Sequence, residues 1–115
     1  MEKNKILLAA AEAVPFAQVG DLGVITGALA RSLHKMGADV RCILPLYRRI
    51  RENFHSKLAK CARLTVPTYE GDVQTTLYRI KHEGILFYFI EADRYFDRPY
   101  LYEQLDEHGG WTDYP

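Results

Sequence analysis

A chain of 115 residues is one domain or part of one, long enough to bury roughly 65% of its unfolded surface. Fifteen basic residues balance fifteen acidic ones, in a composition that is 48% hydrophobic and 26% charged. That balance removes any global electrostatic argument for nucleic acid or an anionic membrane as partner. No window approaches a membrane-spanning length of apolar residues, and Glu12 interrupts the first apolar run too early for a secretory leader.

The elements follow in chain order. Residues 5–11 are apolar throughout, as expected for a parallel strand covered on both faces. A turn, Gln18-Val19-Gly20-Asp21-Leu22, leads into a helix over residues 22–36. Along it Leu22, Ile25, Leu29, Leu33 and Met36 make one apolar face, and Gly37 is placed to stop it. Asp39 to Leu44 is the second strand, stopped by Pro45. The stretch 46–60 is basic, with Arg48, Arg49, Arg51, Lys57 and Lys60, and reads as a weakly periodic, solvated helix face. Residues 62–68 and 72–81 are extended, joined by the turn Tyr69-Glu70-Gly71-Asp72. A second turn, Lys81 to Gly84, precedes the aromatic strand Ile85 to Ile90. Beyond it the pattern loosens, and the aromatic tail 109–115 ends without a terminal element, as if cut.

The first 45 residues are thus a βαβ unit, and the expected fold is α/β and Rossmann-like, a mostly parallel sheet with flanking helices. Such folds hold anionic or sugar ligands at the first βα turn, beyond the carboxyl ends of the strands. Nicotinamide binding fits poorly. Gly20, Gly23 and Gly27 do not form G-x-G-x-x-G, and the second strand ends in Leu44-Pro45 without an acid for a ribose hydroxyl. Gly27 instead reads as a site of close helix–strand packing. The histidines His34, His55, His82 and His108 show no metal-ligand spacing, so no metal or cofactor is expected. Cys42, inside a predicted buried strand, and Cys61, opening another, read as reduced thiols of a cytoplasmic protein.

A set of residues resembles bacterial glycogen synthases and plant starch synthases. It runs through Lys5 to Glu12 and Pro15-Phe16, then Leu22, Val24, Gly27, Ala28, Leu29 and Leu33. It continues through Gly37, Asp39-Val40-Arg41, Leu44-Pro45 and Tyr47, to Tyr95-Phe96-Asp97-Arg98-Pro99 and Tyr102. The resemblance implies a retaining glucosyltransferase of the GT-B type, with two Rossmann-like domains and catalysis in the cleft between them. It implies that residues 1–115 form a single partial domain on the acceptor side. The implied substrates are ADP-glucose or UDP-glucose and an α-1,4-glucan, with the nucleotide sugar a substrate and no separate cofactor.

At the turn the family carries lysine, any residue, glycine, glycine, leucine; this chain carries Gln18, Val19, Gly20, Asp21, Leu22. Gln18 donates hydrogen bonds but no charge. Asp21 stands where a helix N-cap is expected, worth about 1 kcal/mol to the helix, and would compete with a phosphate for the exposed N–H groups. Both readings of Asp21, plain cap and altered ligand selection, stand at this point. The expected substrate-binding residues are Gln18, Gly20, Asp21, Glu12 at the strand end, and Tyr102, matched to a family tyrosine near the glucan. No catalytic group is assignable. Asp97 and Arg98 read as a local ion pair. A non-catalytic glucan-binding or interaction module is the alternative function, and the short chain is expected to show no transfer alone. An uncovered sheet edge leads to an expected homodimer.

Overall fold

The computed structural model describes residues 3–91, 104–105 and 111–112. Its elements are β1 (Lys5–Ala9), α1 (Asp21–Lys35), β2 (Asp39–Pro45) and α2 (Arg48–Phe54), followed by a 3-10 turn at His55–Lys57. Then come β3 (Ala59–Thr68), β4 (Gly71–His82) and β5 (Ile85–Glu91). A separate antiparallel pair, β6 (Gln104–Leu105) and β7 (Trp111–Thr112), completes the list.

Five strands form one sheet in the order β1-β2-β5-β4-β3. β1, β2 and β5 run parallel, with Leu8 beside Cys42 and Cys42 beside Phe87. β4 and β3 add antiparallel on the β5 side. The result is a Rossmann-like α/β arrangement with a mixed sheet. Its two hairpins follow local chemistry. Glu83 (φ 51°) and Gly84 (φ 80°) both take the left-handed conformation that a two-residue hairpin with native twist requires. At the other turn the Glu70 amide donates to Thr68 Oγ1 at 3.2 Å. Gly37 (φ 93°) closes α1, its amide donating to His34 O and that of Ala38 to Leu33 O.

The core lies on one face of the sheet. Val40, Cys42, Leu44, Ile80, Ile85, Phe87 and Phe89 point into it, with Phe16, Leu46, Tyr47 and Ile50 above them. Burial there pushes the Cys42 thiol up to about 11, which makes it a poor nucleophile. Cys61 is exposed on β3, so only one of the two thiols sits in a packed strand.

Three expectations are corrected by the packing. The apolar stripe of α1 is not the face that meets the rest of the fold. Gly23, Thr26, Gly27 and Ala30 are buried instead, while Leu22, Ile25, Leu29 and Met36 are exposed. Small residues win that face because the helix is pressed against the chain segment that follows β1. A Cβ on Gly27 would lie 2.5 Å from Val14 Cγ2, so its close contact is helix to loop, not helix to strand. Second, β1 is not covered on both faces: Leu7 is 61% exposed, and among the described residues β1 is an outer strand of the sheet. Third, the basic stretch is not one helix face. Arg48, Arg49 and Arg51 lie on α2, Lys57 in the 3-10 turn, and Lys60 on β3.

Candidate functional site

Parallel β1, β2 and β5 direct their carboxyl ends to one edge of the sheet, the edge where α/β folds place ligands. The segment from Ala10 to Gly20 crosses that edge between β1 and α1. It is anchored along its length. Tyr47 Oη, at the exit of β2, donates to Ala11 O at 3.0 Å. Ala13 and Ala17 form an isolated antiparallel bridge, and the Val14 amide donates to Gly23 O at 3.1 Å. The peptide before Pro15 is cis. Phe16 fills the space above the sheet, its ring centroid 4.8 Å from those of Phe54 and Phe87 and 5.1 Å from that of Phe89.

Glu12 closes the segment. Its side chain is only 2% exposed, and Oε1 accepts hydrogen bonds from the amides of Val19 (2.6 Å) and Gly20 (3.1 Å). A carboxylate accepting two backbone N–H groups makes charge-assisted bonds, stronger than neutral ones. Glu12 is therefore no solvated strand-end residue. It ties the start of the segment to its end and holds Gln18, Gly20 and Asp21, all exposed, on the rim.

Asp21 differs from its expected role. The cap position is Gly20, in extended conformation, and no side chain caps the helix there. Asp21 is the first helical residue, one place too late to cap. The Val19 and Gly20 amides that precede it are taken by Glu12. What remains to Asp21 is attraction to the helix dipole, typically a few tenths of a kcal/mol at an exposed site. Asp21→Ala is therefore expected to lower stability by well under about 1 kcal/mol in urea unfolding, less than loss of a cap.

A second cluster stands at the exit of β5. Arg51 Nη2 lies 2.9 Å from Glu91 Oε2, and Tyr78 Oη donates to the same oxygen at 3.4 Å. Charge pattern and periodicity alone do not predict this cluster, since along the chain Arg51 reads as part of a solvated face. A signal was present: like Glu12, Glu91 is an acid directly after an apolar parallel strand. The structure thus groups Glu12, Gln18, Gly20 and Asp21 in one segment. Tyr102, Asp97 and Arg98 lie outside the described residues. Among the described residues no three His, Cys, Asp or Glu side chains gather into a metal-binding set.

The model of the starch synthase catalytic domain family matches residues 5–114. The glycogen synthase of Geobacillus stearothermophilus is 37% identical over 103 residues, covering 90% of this chain and 21% of that protein. The glycogen synthase of Desulforamulus reducens is 40% identical over 103 residues, covering 90% and 22%. Among solved structures, the catalytic domain of starch synthase IV from Arabidopsis thaliana, bound to ADP and acarbose, superposes with a TM-score of 0.80. It shares 23% identity and covers 94% of this chain and 23% of its own. The chain thus spans about a fifth of the length of the curated relatives it matches. A family match over nearly every residue, joined to the same GT-B domain topology, places this chain in the starch synthase catalytic-domain family of glycosyltransferases.

Proposed function

We propose that residues 1–115 form a single partial domain, the acceptor-side beginning of a glycogen/starch synthase-type glucosyltransferase. In that enzyme glucose would move from ADP-glucose or UDP-glucose onto an α-1,4-glucan in the cytoplasm. The observation that carries this reading is the family match over residues 5–114, which includes the anchored segment at the carboxyl edge of the sheet. Gln18, Gly20 and Asp21 would meet the substrate, Glu12 would hold them in place, and Tyr102 would offer a flat face and a hydroxyl to the glucan. No helix among the described residues is long and apolar enough to cross a membrane.

One observation favours the second reading, a non-catalytic glucan-binding module. From Ala10 to Leu22 the chain carries two acids, Glu12 and Asp21, and no lysine or arginine. A phosphate approaching that rim meets negative charge, whereas neutral sugar hydroxyls can use the Gln18 amide.

Amide NMR titrations of the chain with maltoheptaose and with ADP-glucose test the site. The amides of residues 18–21 are expected to move with maltoheptaose and to respond weakly to ADP-glucose. Gln18→Lys with Asp21→Gly should strengthen the ADP-glucose response, while the unmodified chain shows no transfer from labelled ADP-glucose to glycogen. Silence of residues 18–21 toward both ligands would remove them from the site. Turnover by the chain alone would overturn its assignment as part of a larger catalytic unit.

A further inference from the structure

Helix α2 cannot hold its place alone. It has seven residues, no side chain caps its start, and its first turn carries no acid. Arg48 and Arg49 stand there instead, the charge that opposes the helix dipole at that end. So short a helix gains too little from its own hydrogen bonds, and packing must place it.

One face does so. Tyr47, Ile50, Arg51 and Phe54 follow the 3/4 spacing of a single helix face. Ile50 is fully buried in the core. Its neighbours on that face reach in two directions. Tyr47 Oη donates to Ala11 O at 3.0 Å, and the Phe54 ring meets Phe16 edge-on with centroids 4.8 Å apart. Both contacts hold the segment that carries the rim. Arg51 reaches the other way, to Glu91 Oε2 at 2.9 Å, where Tyr78 of β4 also donates. The Arg51 amide donates to Tyr47 O at 3.1 Å. One residue therefore joins the exit of β5 to the tyrosine that holds Ala11.

We propose that Arg51 and Glu91 are positioning residues for the rim of Gln18, Gly20 and Asp21, with α2 as the bracket between pair and rim. The ion pair fixes how α2 lies on the sheet, and Tyr47 and Phe54 pass that placement to the segment. A guanidinium suits this task, because its planar fork holds a direction that a lysine ammonium does not. The side chains of Arg51 and Glu91 are 33% and 30% exposed, shielded enough to be ordered and wet enough to escape a heavy desolvation penalty. The role of the pair in binding rests on the reading of that rim as a substrate site; its mechanical role does not.

Hydrogen exchange on the 115-residue chain tests the coupling. The Val19 and Gly20 amides are the reporters, since they donate to Glu12 and not to α2. Arg51→Met keeps the apolar stem and removes the charge, while Glu91→Gln keeps an acceptor for Tyr78. Each is expected to speed exchange at both reporters by about three- to tenfold relative to the amides of β1 and β2. The double variant should be no faster than either single one, because the two residues act as a unit, and Arg51→Lys should recover part of the protection. In titrations with maltoheptaose, Arg51→Met is expected to weaken the response of residues 18–21 by at least about threefold, since a displaced rim meets the glucan in poorer geometry. Selective, non-additive acceleration supports the proposal. Unchanged reporters, uniform acceleration across the sheet, or additive single variants overturn it. A maltoheptaose response that Arg51→Met leaves unchanged overturns it as well. Should Arg51→Met fail to fold, Glu91→Gln decides by the same two readouts. If the unmodified chain shows no response to maltoheptaose, the substrate reading fails on its own, and exchange still decides whether the pair positions the segment.

Discussion

Phe16→Ala is expected to lower stability by about 3–5 kcal/mol, the largest effect of any single change considered. Phe16 is 3% exposed and sits where the β1–α1 segment, α2 and the sheet converge, in ring contact with Phe54, Phe87 and Phe89. His82 adds an edge-on contact with a centroid separation of 5.7 Å. Truncation removes a whole ring from that junction, and β5, in the centre of the sheet, cannot follow the lost volume inward. A cavity remains, which adds to the lost transfer free energy. A domain of this size holds roughly 5–15 kcal/mol in total, so the variant should approach the limit of folding. Urea unfolding measures it. A cost below about 1 kcal/mol would mean that the segment is not fastened to the core through this ring. Phe16→Leu should retain much of the burial and recover a large part of the loss.

Glu12→Ala is expected to cost about 2–3 kcal/mol and to loosen the rim selectively. One buried oxygen accepts from the amides of Val19 and Gly20, so its removal frees both together. Glu12→Gln keeps an acceptor of the same shape without the charge, and should cost about 1 kcal/mol. Hydrogen exchange separates this role from general destabilisation. In Glu12→Ala the Val19 and Gly20 amides should exchange faster by far more than those of β2 and β5, and Glu12→Gln should restore most of the protection. Uniform acceleration across the sheet would show that Glu12 supports the core and not the segment. If the substrate site lies on this rim, the same variant should blur the ligand response of residues 18–21 while Glu12→Gln keeps it.

Much of the architecture was legible along the chain. The apolar runs of β1, β2 and β5, Gly37 at the end of α1, and the two turns of the β3–β4–β5 meander all lie within a residue or a few of where local chemistry places them. Element boundaries moved little because they depend on neighbours in sequence, such as the glycine after α1 and the proline after Leu44. The site was legible in part. Glu12, Gln18, Gly20 and Asp21 do share one segment, since they are close in sequence. Their division of labour was not legible. Whether Asp21 caps the helix turns on where α1 begins, and Asp21 is already its first residue, after extended Gly20; that Glu12 fastens the segment depends on its burial with Ala13, Phe16 and Ala17.

By itself the sequence determined the alternation of strand and helix, the parallel character of the apolar strands, and the family, because periodicity, turn residues and motif spacing are local properties. Only the tertiary structure decided which face of α1 packs, that Leu7 on β1 is exposed, and that Arg51 reaches Glu91. The reason is physical. An apolar stripe can serve a core or an interface equally well. The choice fell to Gly23 and Gly27, whose missing side chains let the helix approach the Glu12 segment more closely than any leucine would allow.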